Sequence, residues 1–226
     1  MGWILPAGAS SYAGEIDWLY YLILVITGIA FVVVEAALLW FLFRYRARPG
    51  RKARYIHGSM KAEVIWTAVP AVVVVVIGIL SSGVWNDIRG RDSVPPDALP
   101  IRVVAKQFEW NATYAGPDGQ LGTADDFTTR NQLHVPAGRP VVVMLEAEEV
   151  IHSFFIPAFR VKQDAVPGMT TPVWFEATTP GQYELACAEL CGLGHYRMRG
   201  GVTVHAAPDY ERWQTDRGSP TVASTP

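Results

Sequence analysis

The stretch CAELCGLGHYRM, residues 187–198, holds the chain's only two cysteines, Cys187 and Cys191, followed by His195 and Met198. Thiolate, imidazole and thioether are side chains that bind soft and borderline metal ions. Four chemistries compete for them. A disulfide suits an oxidising compartment but leaves His195 and Met198 without a role. A structural zinc site of two cysteines and two histidines needs one more imidazole, leaves Met198 idle and usually serves to order small domains. A mononuclear blue-copper site takes one thiolate, two imidazoles and a weak axial thioether, and leaves one thiol over. A binuclear copper site, with both thiolates bridging and one imidazole and one weak axial ligand on each ion, uses every residue. The metal readings need a second, distant histidine. His152 in EVIHSFFIP supplies it at the start of a predicted strand, and its neighbours Phe154, Phe155 and Ile156 would keep the site dry. His57 in a basic loop, His134 before Val135-Pro136 and His205 at the end of the last predicted strand have structural explanations instead. Two ions bridged by thiolates share one electron with little change in bond length, so the chemistry implied is electron transfer.

The residues around these ligands read as β-structure. After the Pro-rich linker VPPDALP, strand-like segments lie in IRVVAKQFEWNATY, RPVVVMLEA, HSFFIPAF, TPVWFEAT, GQYELACA and GGVTVHA. They are rich in Val, Phe, Trp and Tyr and broken by Gly, Pro and Asp. Short strands over residues 94–207, with no competing helical period, predict a β-sandwich or Greek-key barrel. A ligand at a strand start and a late loop meet naturally at one end of such a sandwich. The polar tail 208–226 is expected to be loosely ordered. In GPDGQLGTADDF, Asp118, Asp125 and Asp126 offer carboxylates to a hard cation, but the spacing departs from the EF-hand loop and favours a long turn capped by Asp and Gly. Asn111-Ala112-Thr113 matches the glycosylation sequon, a triplet too common to carry weight.

Two apolar runs precede this region. Residues 18–43 carry a single charge, Glu35, and residues 64–85 carry none. At a rise of about 1.5 Å per residue each can cross a bilayer core of roughly 30 Å. The first is too long for a signal peptide, lacks a preceding Lys or Arg, and is not followed by a small-residue cleavage site. Between the runs, residues 44–63 hold Arg44, Arg46, Arg48, Arg51, Lys52, Arg54 and Lys61 against one acid, Glu63. The positive-inside rule makes that loop cytoplasmic and puts both termini outside. Glu35 either faces a neighbouring helix or serves a function, as intramembrane acids often do. The net charge of −2 over 226 residues excludes any bulk attraction to nucleic acid.

The pattern Cys187-x-Glu189-x-Cys191-x3-His195-x2-Met198, with His152 upstream, resembles the CuA site of subunit II of cytochrome c oxidases. The resemblance covers nearly the whole chain and implies an α+β membrane protein. A two-helix transmembrane hairpin (residues 1–93) would precede a cupredoxin-like Greek-key β-sandwich (94–207) and the polar tail. It implies bridging by Cys187 and Cys191, terminal ligation by His152 and His195, and weak ligation by Met198 and the Glu189 carbonyl. The Glu189 side chain would reach a magnesium ion at the interface with subunit I. EVIWTAVPA resembles the start of the family's second helix, where Glu63 matches an acid at the mouth of a proton pathway of subunit I. VKQDAVPG resembles a segment against subunit I, with Lys162 and Asp164 as interface candidates.

In KQFEWNATY, Phe108 stands where the family usually has the tryptophan that receives the electron, and Trp110 remains. Glu146, Glu148 and Glu149 are candidates for steering a basic donor. The expected function is uptake of electrons from a c-type cytochrome and delivery to haem in subunit I, where oxygen is reduced, in a bacterial plasma membrane. The sequence holds no Cys-x-x-Cys-His, so the donor is expected to be a separate protein or subunit. The rival readings are a CuA subunit of a nitric oxide reductase and a membrane-tethered copper carrier or assembly protein.

Overall fold

The computed structural model describes residues 4–53 and 55–218. They divide into two units, one running from Glu15 to Asp87 and the other joining the segment up to Gly14 with the chain from Ile88 onward. The division expected after residue 93 therefore falls six residues earlier, after Asp87, and the N-terminal segment joins the outer unit. Ala9 N–H donates to the Ala158 carbonyl (2.8 Å), and the Ser10 hydroxyl donates to that of Phe159 (2.8 Å). The end of the second helix is held likewise, with Trp174 Nε1–H donating to the Ile88 carbonyl (2.9 Å) and Arg89 Nη1 to Gln163 Oε1 (2.8 Å).

In the first of these units, α1 (Ala13–Tyr45) and α2 (Met60–Arg89) extend past the apolar runs at both ends. The polar flanks continue the helices because their charges suit the ends. Glu15 and Glu63 lie in first turns and Arg44 and Arg89 in last turns, each complementing the helix dipole. Both helices are long and apolar enough to cross a membrane. Phe31, Val32, Leu42, Val74 and Ile79 are all exposed, an arrangement costly in water and ordinary in lipid.

Among the described residues of the outer unit, alternating burial builds two sheets. The first comprises β1 (Leu99–Lys106), β2 (Glu109–Tyr114), β3 (Phe127–Arg130), β5 (Pro140–Ala147) and β8 (Thr171–Glu176), in the order β3-β2-β1-β5-β8. The second comprises β4 (Gln132–Pro136), β6 (His152–Ile156), β7 (Val161–Ala165), β9 (Gly181–Cys187) and β10 (Arg199–His205), in the order β4-β10-β9-β6-β7. Ile101, Val103, Val141, Val143 and Leu145 of one sheet and Leu133, Phe154, Ile156, Leu185 and Val202 of the other are buried. Their facing rows form the core of a sandwich.

The single strand-like segment at 101–114 is a hairpin. Ala105 pairs with Trp110 and Lys106 with Glu109, so Gln107 and Phe108 make the turn. The buried positions shift from odd (Ile101, Val103, Ala105) to even (Trp110, Ala112, Tyr114), which a continuous strand of period two does not allow. Three strands lie outside the predicted segments: β3, β4 and β7.

The tail also departs from expectation. Residues 207–218 form a helix, α3 (Ala207–Gly218), and residues 219–226 lie outside the described residues. Its composition is polar, yet Tyr210 and Trp213, three positions apart, lie on one face. Tyr210 is buried, and Trp213 stacks on His134 at 4.3 Å and meets Tyr114 edge-on at 4.9 Å. His134 Nδ1 lies 2.9 Å from His205 Nε2, a hydrogen bond when one ring donates and the other accepts.

Burial, then the nearby His205 and Arg217, hold the His134 imidazole down at about 4. Above about pH 6.5 His134 is neutral whether the chain is folded or not. Below that the unfolded chain takes up a proton that the folded one refuses until about pH 4, so stability falls as pH drops through that window. The ring is half-exposed, so solvent screening leaves a loss of about 1–2 kcal/mol. Urea titrations at pH 7 and pH 4.5 should show this fall in the native chain and a smaller one in His134→Gln.

Candidate metal centre

β9 ends at Cys187 and β10 begins at Arg199, so the ligand loop is a hairpin connection within one sheet. Its base is closed by Cys187 N–H donating to the Met198 carbonyl (3.1 Å), and Ala188 N–H ties it to the Ser153 carbonyl of β6 (3.0 Å). Phe154 of β6 pairs with Cys187, which brings His152, the first residue of β6, beside the loop. The two sulfurs lie 3.8 Å apart, far beyond the ~2.05 Å of a disulfide. His152 Nδ1 is 3.8 Å from the Cys187 sulfur and His195 Nδ1 3.7 Å from the Cys191 sulfur. Met198 Sδ is 3.7 Å from Cys191, and the Glu189 carbonyl oxygen is 3.2 Å from Cys187. All six predicted donors thus converge, and the His152, Cys187 and Cys191 ligand atoms lie within 4.8 Å of one another.

The site is dry on its inner side. His152 is fully buried, Cys191 and Met198 are 2% and 1% exposed, and Cys187 and His195 are half-buried. The Trp110 ring stands edge-on to His152 (6.2 Å) and to Phe154 (5.6 Å). Burial depresses the basicity of His152, against a smaller opposing pull from Glu149. Burial, reinforced by Cys187, pushes the Cys191 thiol up to about 11. Without a metal, Cys191 therefore carries its proton at neutral pH while His152 is neutral. A soft cation gains the Cys191 thiolate only by displacing that proton. Two thiols 3.8 Å apart, each with an imidazole nitrogen or thioether nearby, are the donor set of a soft, thiophilic metal such as copper.

Gln107 is a residue of the site that the sequence did not single out. From the β1–β2 turn, its Nε2 donates to the Cys191 carbonyl at 2.5 Å. The next residue, Phe108, lies against the loop, and a Cβ on Gly194 would overlap its ring. The loop glycines are thus required by close approach, and Gly192 also has φ +126°, a value that favours glycine. The one available clue was that Gln107 precedes Phe108 at the parity break of the β1–β2 segment.

The family described as "Cytochrome C oxidase subunit II, periplasmic domain" matches residues 101–205, and "Cytochrome C oxidase subunit II, transmembrane domain" matches residues 1–84. The chain belongs to the cytochrome c oxidase subunit II family. It is 35% identical over 212 residues to the alternative cytochrome c oxidase subunit 2 of Bradyrhizobium diazoefficiens, covering 83% of this chain and 75% of that one. It is 31% identical over 275 residues to cytochrome c oxidase subunit 2 of Thermostichus vulcanus, covering 99% and 80%. Among solved structures it is similar to the periplasmic domain of subunit II (CoxB) of Bradyrhizobium japonicum, with TM-score 0.49, 29% identity, and coverage of 55% of this chain and 96% of that one. This subunit II is accordingly part of an oxidoreductase complex, and the family implies copper at the donor cluster.

The remaining candidates of this subunit II are dispersed. Phe108 is half-buried at the edge of the ligand loop, whereas Trp110 is 1% exposed and forms an inner wall of the site. Glu146 is paired with Arg102 (2.7 Å), Glu148 with Lys106 (2.6 Å), and Glu149 accepts the Gln107 backbone N–H (3.2 Å). Lys162 and Asp164 form an exposed ion pair (3.1 Å) on the edge strand β7. Glu63 sits exposed in the first turn of α2, after Ser59, whose hydroxyl accepts the Ala62 N–H. In the acidic loop the carboxylates turn onto backbone amides. Asp118 accepts from Gln120 N–H (2.8 Å), Asp125 from Asp118 N–H (3.1 Å) and Asp126 from Gly122 N–H (2.7 Å). That is the capped turn expected of the loop.

Proposed function

We propose that this subunit II accepts electrons from a c-type cytochrome at a binuclear CuA centre and passes them to haem in subunit I for reduction of oxygen to water. The observation that carries the reading is the pair of unbonded thiols, 3.8 Å apart, with imidazole Nδ1 atoms at 3.7 and 3.8 Å. When bound, the copper pair supplies a shared one-electron store that cycles with little change in bond length. Cys187 and Cys191 would hold the copper as thiolates and His152 and His195 as imidazoles, with Met198 and the Glu189 carbonyl as weak ligands. Trp110 and Phe154 exclude water behind His152. The closed base of the loop and the Gln107 bond hold the donors in place, so little reorganisation accompanies electron transfer. The exposed Glu189 carboxylate is free to reach a magnesium ion at the subunit I interface, where Lys162 and Asp164 also dock. In a bacterial plasma membrane, with both termini and the copper domain outside, Glu63 lies at the cytoplasmic end of α2. There it can hand protons to subunit I.

The test is metal analysis and electron paramagnetic resonance on the full chain in detergent, loaded with copper. Two coppers per chain sharing one unpaired electron are expected. One copper with a localised spectrum would exclude the binuclear centre. Met198→Leu should keep both coppers and shift their reduction potential, because a weak axial ligand tunes more than it holds. Loss of all copper from that variant would contradict weak ligation by Met198.

A further inference from the structure

The donors come from two separate segments, His152 at the end of the β5–β6 connection and the others in the β9–β10 loop. The β1–β2 turn touches both. On one side the Glu149 carboxylate accepts the Gln107 backbone N–H (3.2 Å), and Glu148 N–H donates to the Ala105 carbonyl (3.1 Å). On the other side Gln107 Nε2–H donates to the Cys191 carbonyl (2.5 Å). A Cβ on Gly192 would lie 2.8 Å from that Nε2 and 3.3 Å from the Phe108 ring, so the turn sits directly on the loop backbone.

The bonds at the base of the loop hold Cys187 and Met198, and the bond from Ala188 to Ser153 lies beside them. Gln107 ties the loop farther on, at Cys191. The Cys191 sulfur stands 3.8 Å from that of Cys187 and 3.7 Å from both His195 Nδ1 and Met198 Sδ, so a shift of this residue disturbs several donor distances together. Glu149 holds the turn through an acceptor oxygen, a task that needs no charge, because an amide oxygen accepts the same bond.

Resting on the copper reading above, we infer that Gln107 is a positioning residue of the metal centre and that Glu149 acts through it. The β1–β2 turn is a brace between the segment that carries His152 and the loop that carries Cys191. Neither Gln107 nor Glu149 is a ligand. The brace fixes where the Cys191 sulfur stands before a metal arrives, so that copper enters a site already shaped. Without it the base of the loop stays bonded but Cys191 moves. That movement exposes a thiol now only 2% accessible, loosens the metal and makes the two copper positions unequal.

The experiment uses the full chain in detergent, metal-free and copper-loaded, with Gln107→Leu, Glu149→Ala and Glu149→Gln beside the wild type. In the metal-free chain, Gln107→Leu should raise the alkylation rate of Cys191 by iodoacetamide about fivefold, the effect of losing one net hydrogen bond. In the loaded chain it should release copper to a chelator about tenfold faster, and its paramagnetic resonance spectrum should show the electron less evenly shared between the coppers. Glu149→Ala should move all three readouts the same way by about twofold. Glu149→Gln, which keeps an acceptor oxygen, should match the wild type. Wild-type alkylation and spectrum in Gln107→Leu would overturn the inference. So would Glu149→Gln behaving like Glu149→Ala, which would make the Glu149 charge the active feature. If circular dichroism shows Gln107→Leu unfolded, Glu149→Ala carries the test, and wild-type readouts there overturn the brace. If the wild-type chain takes up no copper, the copper reading fails, while the alkylation rates still decide the brace.

Discussion

Cys191→Ser should leave the β-sandwich folded and abolish the shared-electron centre. Cys191 is 2% exposed, and its sulfur lies 3.8 Å from that of Cys187 and 3.7 Å from both His195 Nδ1 and Met198 Sδ. No other donor can replace it at the middle of the cluster. A serine hydroxyl is nearly isosteric, so packing survives, but it is a hard, weakly acidic oxygen that bridges soft ions poorly. The variant should bind at most one copper per chain with a localised spectrum, and oxidation of a c-type cytochrome by the assembled complex should slow by more than about 100-fold. Circular dichroism like that of the native chain would assign the loss to the metal. Two coppers with an unaltered spectrum in Cys191→Ser would remove Cys191 from the centre.

Trp110→Ala should cost the outer unit about 3–5 kcal/mol, the range for deleting a buried tryptophan. Trp110 is 1% exposed and packs on both Phe154 and His152. The cavity would open beside a fully buried ligand. A fall in melting temperature of about 10 °C or more is therefore expected together with a shifted copper potential, because water would reach the imidazole. Trp110→Phe, which keeps a ring against His152, should recover most of both. Unaltered melting in Trp110→Ala would show that its contacts contribute little. The sequence offered this tryptophan as an electron-entry candidate, and its burial makes it a wall of the site.

Residue type and spacing determined the chemistry by themselves. Thiol, thiol, imidazole and thioether in one twelve-residue stretch, with one histidine upstream, restrict the metal to soft and borderline ions, since ligand preference belongs to the side chains and not to the fold. Length and uninterrupted apolarity likewise determined the two long helices, because those properties are local. Tertiary structure decided what depends on residues distant in the chain. The bond from Gln107 to Cys191 spans 84 positions, and no local pattern marks it. The pairing of Glu146 with Arg102 spans 44, and it places one of the candidate steering charges in an ion pair. Polar composition at 207–218 concealed a helix whose stability comes from Trp213 stacking on His134, a contact that exists only once β4 and β10 are assembled. The sequence could state which atoms are offered to a metal. Which side chains enclose them, and which are left facing solvent, depended on two sheets closing over one another.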